Sequence, residues 1–238
     1  MKSYLRFLSR NKLYTAIEVV GLSVALAFVL IIGSYVWQEY SISRENPDYE
    51  RIYIPTQSMP YGIFEPMKEQ IPEIEKITLV NSFDDVVMEC DDERLVTRGL
   101  AVRGDFFDIF DYEFLIGDAG CLESYTDIVI SESYAAKLAG KPELAVGMKI
   151  VPVDYPSQAY TVTGIIKDFD QNYWKYMDFI CKGESPLNES AQKNPIFTLS
   201  ATAFIKVAES ADVDALGGKI QEIFRQLWGE KLNTAMID

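Results

Sequence analysis

The chain has 238 residues, of which 36 are acidic, 22 are basic and none is histidine, and its net charge is −14. The acidic balance argues against nucleic acid as a partner, because no basic stripe follows the first twelve residues. The absence of histidine excludes Ser-His-Asp and Cys-His nucleophilic sites and H-E-x-x-H zinc sites. A phosphate loop of the form G-x-x-x-x-G-K-[ST] is also missing, so the chain cannot hydrolyse ATP by that route.

Residues Val19–Trp37 form a run of 19 residues without a formal charge. As a helix this run would be about 28 Å long, close to the roughly 30 Å hydrocarbon core of a bilayer. Because lipid offers no hydrogen bonds to the backbone, the run predicts one transmembrane helix, residues 13–40 with its flanks. Glu18 lies at the start of this span, where an interfacial carboxylate that reaches the headgroups is favoured over a proton relay.

The charges around the span predict its orientation. Four basic residues and no acid precede it within segment 1–12: Lys2, Arg6, Arg10 and Lys12. Since the total is −14 and this segment carries +4, the rest of the chain carries −18. The positive-inside rule therefore predicts an inner-membrane protein whose N-terminus is cytoplasmic and whose main domain is periplasmic. The N-terminal segment is predicted to be basic and amphipathic.

A cleaved signal peptide is the competing interpretation of the same run. Ala25-Leu26-Ala27 has the A-x-A form of a cleavage site. Ten further residues of membrane-spanning character follow it, and a signal peptide normally has an apolar region of about 7–15 residues. The sequence thus favours a retained helix.

The remaining chain alternates between strand and helix patterns, which predicts an α+β domain. Strands are predicted at Arg51–Ser58, Glu75–Phe83, Val86–Cys90, Arg94–Val102, Asp127–Ser131, Gly147–Val153, Gln158–Lys167, Asp178–Lys182 and Leu199–Val207. Helices are predicted at Ile63–Ile71, Tyr134–Ala139 and Val213–Trp228, with helical spacing also in the aromatic segment Asp105–Phe114. Ser131 or Ser133 would cap the second of these helices and Gly140 would end it.

This order predicts two α/β subdomains, the second inserted in the first. Segments 41–83 and 161–238 would form a membrane-proximal subdomain, and segment 84–160 a β-rich inserted one. A polar loop is expected between Gly183 and Pro195. Both ends of the external domain would then lie near the membrane.

Two groups of residues could carry chemistry, and for each a structural interpretation competes. The acids Asp84, Asp85, Glu89 and Asp91–Glu93 could bind calcium, but they lack the D-x-D-x-D-G loop, so a solvated hairpin is favoured. Cys90, Cys121 and Cys181 are far apart in sequence. One disulfide with a spare thiol and three free thiols both remain open.

Motifs at the N-terminus resemble a known family. Asn11-Lys12, Gly21-Leu22-Ser23, Glu39 and Arg51-Ile52-Tyr53 follow one another at the expected places. Together they resemble the start of MacB/FtsX-type ABC transporter permeases, in which a basic elbow precedes a first span containing GLS and the chain leaves the span towards a D-R-I-Y sequence.

The resemblance continues through the external domain. GDFFDIFDYEFLIGD (Gly104–Asp118), IVISESYAAKLAG, and YTVTGIIKDF followed by NYWKYMDF are similar to three ordered family segments. Glu18 stands where the family often has Asn, Asp170 replaces a proline, and Tyr173-Trp174 replace Ser-His. These departures concern local loop geometry.

The resemblance implies a MacB-like periplasmic core and a permease subunit that is not itself an enzyme and needs no cofactor or metal. Its implied partners are a cytoplasmic ABC ATPase subunit, a second permease copy and a periplasmic adaptor or cargo. The domain would act as a mechanical arm with hinges near Ser82–Asp85 and Tyr160–Lys167. The family has three further transmembrane helices after this core, so the chain, which stops at Asp238, is expected to be an N-terminal part of such a permease.

Two other functions compete with this one. A single-span sensor or ligand-binding protein is less favoured, because twelve cytoplasmic residues are too few for a signalling module. An extracytoplasmic enzyme is disfavoured by the missing histidine and by the lack of a paired-carboxylate motif. The sequence does not identify the transported substrate.

Overall fold

A single helix of 31 residues, α1 (Lys12–Ile42), is the described part of the first of two compact units, Met1–Glu45 and Asn46–Asp238. Its stretch Lys12–Trp37 is long and apolar enough to cross a membrane, which confirms the predicted helix. The hydroxyls of Ser23 and Ser34 donate to the carbonyl oxygens of Val19 (2.7 Å) and Ile31 (2.8 Å). These polar side chains are therefore satisfied within the helix, as a lipid environment requires.

The computed structural model describes residues 12–42, 48–91, 93–168, 174, 176–183 and 200–229. The predicted N-terminal amphipathic segment, apart from Lys12, and most of the predicted 183–195 loop lie outside these residues. The described strands are β1 (Ile52–Tyr53), β2 (Met59–Pro60), β3 (Ile74–Cys90), β4 (Glu93–Gly104), β5 (Phe114–Ile116), β6 (Asp127–Ser131), β7 (Lys149–Pro152), β8 (Tyr160–Ile166), β9 (Phe179–Lys182) and β10 (Ser200–Val207). The other described α-helices are α2 (Phe64–Gln70), α3 (Phe106–Ile109), α4 (Glu132–Ala139) and α5 (Val213–Trp228).

The strands form one mixed sheet whose main path is β1-β10-β3-β4-β9-β6-β8-β5. Strand β7 pairs with both β3 and β8, so the pairings close a six-stranded ring, β3-β4-β9-β6-β8-β7. All six strands contribute to one buried cluster, the ring core, which includes Met88, Ala101, Ile130, Ile150, Val162 and Cys181. The pairs β4–β9 and β6–β8 are parallel.

A second cluster, the base core, lies at the start of β3. Helices α2 and α5 bury their apolar faces against β3 and β10 there, through Met67, Ile77, Ile205 and Ile220 among others. Helix α5 has the bounds that the sequence predicts, and its N-cap Asp212 accepts hydrogen bonds from the backbone N–H of Asp214 (3.1 Å) and Ala215 (3.3 Å). Gly229, with φ of +70°, ends it.

The aromatic segment Asp105–Phe114 belongs to a third cluster, the aromatic core, as a core interpretation of its spacing predicts. The ring of Trp174 packs edge-on against Phe110 (4.8 Å between centroids) and Phe204 (5.0 Å). The helix is shorter than the spacing suggests, however, because α3 ends at Ile109. The chain turns extended at Phe110, and Phe114 starts a strand whose pairing with Ile166 of β8 overrides the helical pattern.

Two other differences from the predicted elements arise from strand pairing. Glu75–Phe83 and Val86–Cys90 are one 17-residue strand, β3, in which the register with β4 shifts between Phe83 and Val86. Asp85 has a φ of +56° at this β-bulge. The predicted strand Arg51–Ser58 is instead reduced to the two-residue strand β1; a loop follows, and the short strand β2 begins only at Met59.

Other predicted elements are confirmed. β3 and β4 form the predicted hairpin, β6 has the predicted bounds, and α4 is capped by Ser131, not Ser133, with the Ser131 hydroxyl oxygen 3.2 Å from the donating N–H of Tyr134. Gly140 ends α4 with a φ of +74°. The division into 41–83 with 161–238 and 84–160 stays a prediction; β8 (Tyr160–Ile166) and β9 (Phe179–Lys182) pair with strands of the ring.

Candidate functional site

An apolar groove of about 670 Å³ runs along α5. One wall is the segment Tyr53–Met59, the other is α5, and Ile205 of β10 lies between them. The residues that α5 contributes are Val213, Leu216, Gly217, Ile220, Gln221, Phe224 and Arg225. Their spacing of three to four residues places them on one face of the helix over nearly its whole length. We call this cavity the α5 groove.

The groove exists because the chain leaves the sheet edge between β1 and β2. Tyr53 pairs with Ile205, and Met59 pairs with Ala201. Between these two pairs the wall has five residues, 54–58, and β10 has three, 202–204. The longer wall segment must therefore arch away from the sheet. Pro55 lies in this arch, where the absence of a backbone N–H costs no ladder hydrogen bond.

The lining of the groove is nearly free of charge. Of the sixteen lining residues that the structure describes, only Arg225 is charged, and its guanidinium lies 2.6 Å from the carboxylate of Glu222. Gln57 and Gln221 supply amide groups, while Ile54 is 47% exposed on the wall. Such a surface can bind an apolar partner, and its described lining contains no carboxylate, thiol or amine.

An ion-pair network holds the chain where it enters the domain, just before the groove wall. The carboxylate of Asp48 accepts hydrogen bonds from Lys206 of β10 and from Arg51 (2.6 Å). Arg51 also bonds Glu75 of β3 (3.0 Å) and the carbonyl oxygen of Val207 (3.3 Å). The hydrogen bonds from Lys206 and Arg51 lower the pKa of Asp48 below its ordinary value. The Arg51-Ile52-Tyr53 motif thus joins the entering chain to two central strands.

Two other motif segments meet at the start of α4. Asp168, which follows β8, accepts hydrogen bonds from the backbone N–H of Ser133 (2.9 Å) and from its hydroxyl. Ser131 caps the same helix, so two adjoining loops are joined at one helix N-terminus. A carboxylate there also meets the positive end of the helix dipole.

The three cysteines and the described acids of the hairpin form no metal site. All three cysteines are free, so the disulfide alternative is not realised. Burial raises the pKa of the Cys181 thiol to about 11 and raises that of Cys90 as well. Within the described ranges no group of three or more His, Cys, Asp or Glu residues could hold a metal ion. Among the hairpin acids, Glu89 pairs with Arg94 at 2.6 Å.

Sequence reasoning named no site residue, and it missed the α5 groove and the network at Asp48. The bounds of α5 gave a partial signal, because Val213, Gly217 and Gln221 lie beside the stripe that packs on the base core. The sequence of the groove wall gave no signal of the groove, because the shape of the wall depends on the register of β1 and β2 against β10. Lys206 and Asp48 are 158 residues apart, so their contact also depends on the fold.

The family described as the MacB-like periplasmic core domain matches residues 15–223 of the chain. That match starts within α1 and ends within α5. Among curated proteins, no match to the chain is found.

Several solved structures are similar in fold. A domain assigned to a permease of Porphyromonas gingivalis has 19% identity and a TM-score of 0.66, over 78% of this chain and 85% of that one. The periplasmic region of MacB from Actinobacillus actinomycetemcomitans has 12% identity and a TM-score of 0.52, over 74% and 77%. The extracellular domain of the noncanonic ABC-type transporter YknZ from Gram-positive bacteria has 11% identity and a TM-score of 0.50, over 72% and 85%. At these identities the likeness shows the fold.

Proposed function

Because the chain belongs to the MacB-like periplasmic core domain family, we propose that it acts in an ABC transporter permease subunit that passes ATP-driven motion to cargo or a partner outside the inner membrane. ATP hydrolysis belongs to a separate cytoplasmic ATPase subunit, and this chain has no catalytic role. A second permease copy completes the membrane unit. The N-terminus is cytoplasmic and Asn46–Asp238 is periplasmic.

The observation that carries this proposal is the extent of the family match. It covers most of α1 and continues to α5, so it includes both the apolar helix and the domain that follows. A soluble module attached to an unrelated anchor would match in the domain alone. The alternative function, a single-span sensor, has no such support.

The path of β3 supports a mechanical role. Its first residues, Ile74 and Ile77, are buried in the base core, and its last, Met88 and Cys90, are buried in the ring core. This one strand joins the two cores, and it pairs with β4 from Thr78 to Cys90, with one bulge between Phe83 and Val86. A displacement of the base would therefore be transmitted to the ring through backbone hydrogen bonds.

We place one hinge at the bulge of β3, within Ser82–Asp85, and the other within Tyr160–Lys167. The register shift between Phe83 and Val86 and the positive φ of Asp85 support the first position. Subdomains divided at the bulge would comprise the base and the ring; β8 pairs with two ring strands, so its pairing gives no support to the second position. A cross-link across the bulge that left transport unchanged would rule out this hinge.

Co-purification tests the proposed function. The tagged chain is expressed with a candidate ABC ATPase from the same genome and extracted in mild detergent; we expect the ATPase to co-elute with it. The matched control replaces residues 13–40 with an unrelated single span and leaves Asn46–Asp238 unchanged, and this control should elute without the ATPase. Elution of the native chain alone, in repeated preparations containing both proteins, would favour the single-span sensor instead.

A further inference from the structure

Among the residues that the structure describes, the lining of the α5 groove has no acid, although the domain as a whole is acidic. Asn46–Asp238 contains 33 acidic and 17 basic residues. If acids were evenly spread, about three would be expected among sixteen residues, yet the sixteen described lining residues include none. Two copies of this domain would repel one another over most surfaces, but not where these linings meet.

The same surface combines a depression with exposed apolar side chains. Ile54 on the groove wall is 47% exposed and Leu227 in the last turn of α5 is 41% exposed. A two-fold contact places the same patch on both partners, so it needs protruding and receding parts within one patch. The groove and these two side chains provide both.

We propose that a second copy of this chain docks at the α5 groove, so that the two grooves face each other across a two-fold axis. The proposal rests on the proposed function for the presence of a second permease copy, and it adds the surface that the copies share. A basic partner would find no carboxylate among the described lining residues, and the adjacent carboxylate of Glu222 is already paired with Arg225. A neutral apolar surface instead suits a partner that carries the same negative charge.

Two glutamines of α5 give a matched cross-linking test. Gln221 lines the groove, and Gln226, five residues later, lies about 140° around the helix. Both are exposed. Each is changed to cysteine in the full chain, in membranes, with Cys121→Ser to remove the one native thiol that is not buried. A short bis-maleimide should join two copies through Gln221→Cys and leave Gln226→Cys monomeric.

The matched substitutions Gln221→Arg and Gln226→Arg measure the same contact by oligomeric state. Gln221→Arg brings two like charges together at the axis, so self-association should weaken about tenfold or more, whereas Gln226→Arg should leave it unchanged. Both changes lie on exposed positions, and unchanged helical circular dichroism verifies the fold.

Equal cross-linking at the two positions, or none at Gln221→Cys, would overturn the proposal. So would stoichiometric binding of an apolar probe such as dansyl-undecanoic acid in the groove without self-association. If the ATPase co-purifies but Gln221→Cys does not cross-link, the docking surface is wrong and the proposed function stands. If Gln221→Cys cross-links but the ATPase does not co-purify, the docking surface stands and the proposed function is wrong.

Discussion

At the residue scale, Asp168 has a positioning role that its place in the sequence does not reveal. Its two carboxylate oxygens accept from the backbone N–H and the hydroxyl of one residue, Ser133. The N-terminal N–H groups of a helix lack partners within the helix, so this carboxylate satisfies one of them. It thereby fixes the loop after β8 to α4.

A double-mutant cycle on this pair is expected to show coupling. Asp168→Ala should lower the free energy of unfolding by about 1 kcal/mol, the usual cost of losing a helix N-terminal acceptor. Ser133→Ala should have little further effect in the Asp168→Ala background, because the hydroxyl has lost its acceptor. Urea denaturation followed by tryptophan fluorescence measures both, with the exposed Asp154→Asn as control. Additive effects would contradict the coupling.

Asp48 predicts a pH dependence of stability. Its pKa is lowered in the folded chain, first by the hydrogen bond from Lys206 and then by that from Arg51. The ionised carboxylate therefore stabilises the fold above its ordinary pKa of 3.8, and this contribution is lost as the pH falls through the lower, folded-state pKa. Asp48→Asn should lower the urea midpoint at pH 7, and the difference from the native chain should shrink below pH 3.8. A difference that stays constant to low pH would show that the charge of Asp48 is not responsible.

At the element scale, two glycines have opposite roles. Gly99 on β4 is buried, and a Cβ there would collide with the ring of Phe179 on β9. The absence of a side chain is thus what lets Phe179 fill the ring core. Gly218 on α5 has open space around its Cβ position and is exposed.

Alanine at these two glycines should therefore change stability in opposite directions. Gly99→Ala should destabilise the domain by about 1–3 kcal/mol through overpacking. Gly218→Ala should stabilise it by up to about 1 kcal/mol, because alanine loses less backbone entropy than glycine in a helix. Thermal or urea denaturation of the two variants tests the pair. A stabilising Gly99→Ala would mean that Phe179 can move aside without loss.

At the scale of the whole molecule, charge is distributed unequally along the chain. Segment 1–12 carries +4 and the remainder −18. Basic residues beside a span resist translocation, whereas acidic residues contribute little to orientation. The tail should therefore determine which side of the membrane the acidic domain occupies.

Replacing Lys2, Arg6, Arg10 and Lys12 with glutamine should reduce the fraction of chains whose domain is outside. A cysteine at Gln226, in the Cys121→Ser background, reports the location through labelling of spheroplasts with a membrane-impermeant maleimide. Neutralising Glu39 and Glu45 is the control and should change labelling little. Unchanged labelling after loss of the four basic residues would show that another feature sets the orientation.

The fold was only partly predictable from the sequence, and the candidate site hardly at all. Helix α1 and the bounds of β6 and α5 were predictable because hydropathy, periodicity and caps are local properties. The α5 groove was not, because it needs the five-against-three register between residues 54–58 and β10. Such a register is set by pairings with residues more than a hundred positions away.

The sequence by itself determined that one helix can span a membrane, since 19 uncharged residues in a row match the thickness of a bilayer. It also determined the α+β character of the domain and, through its motifs, the family. The tertiary structure decided that two predicted strands merge into β3, that α3 stops at Ile109, and that six strands close into a ring. These outcomes depend on the free energy of long-range pairing and packing, which outweighs the weak local preferences of the residues involved.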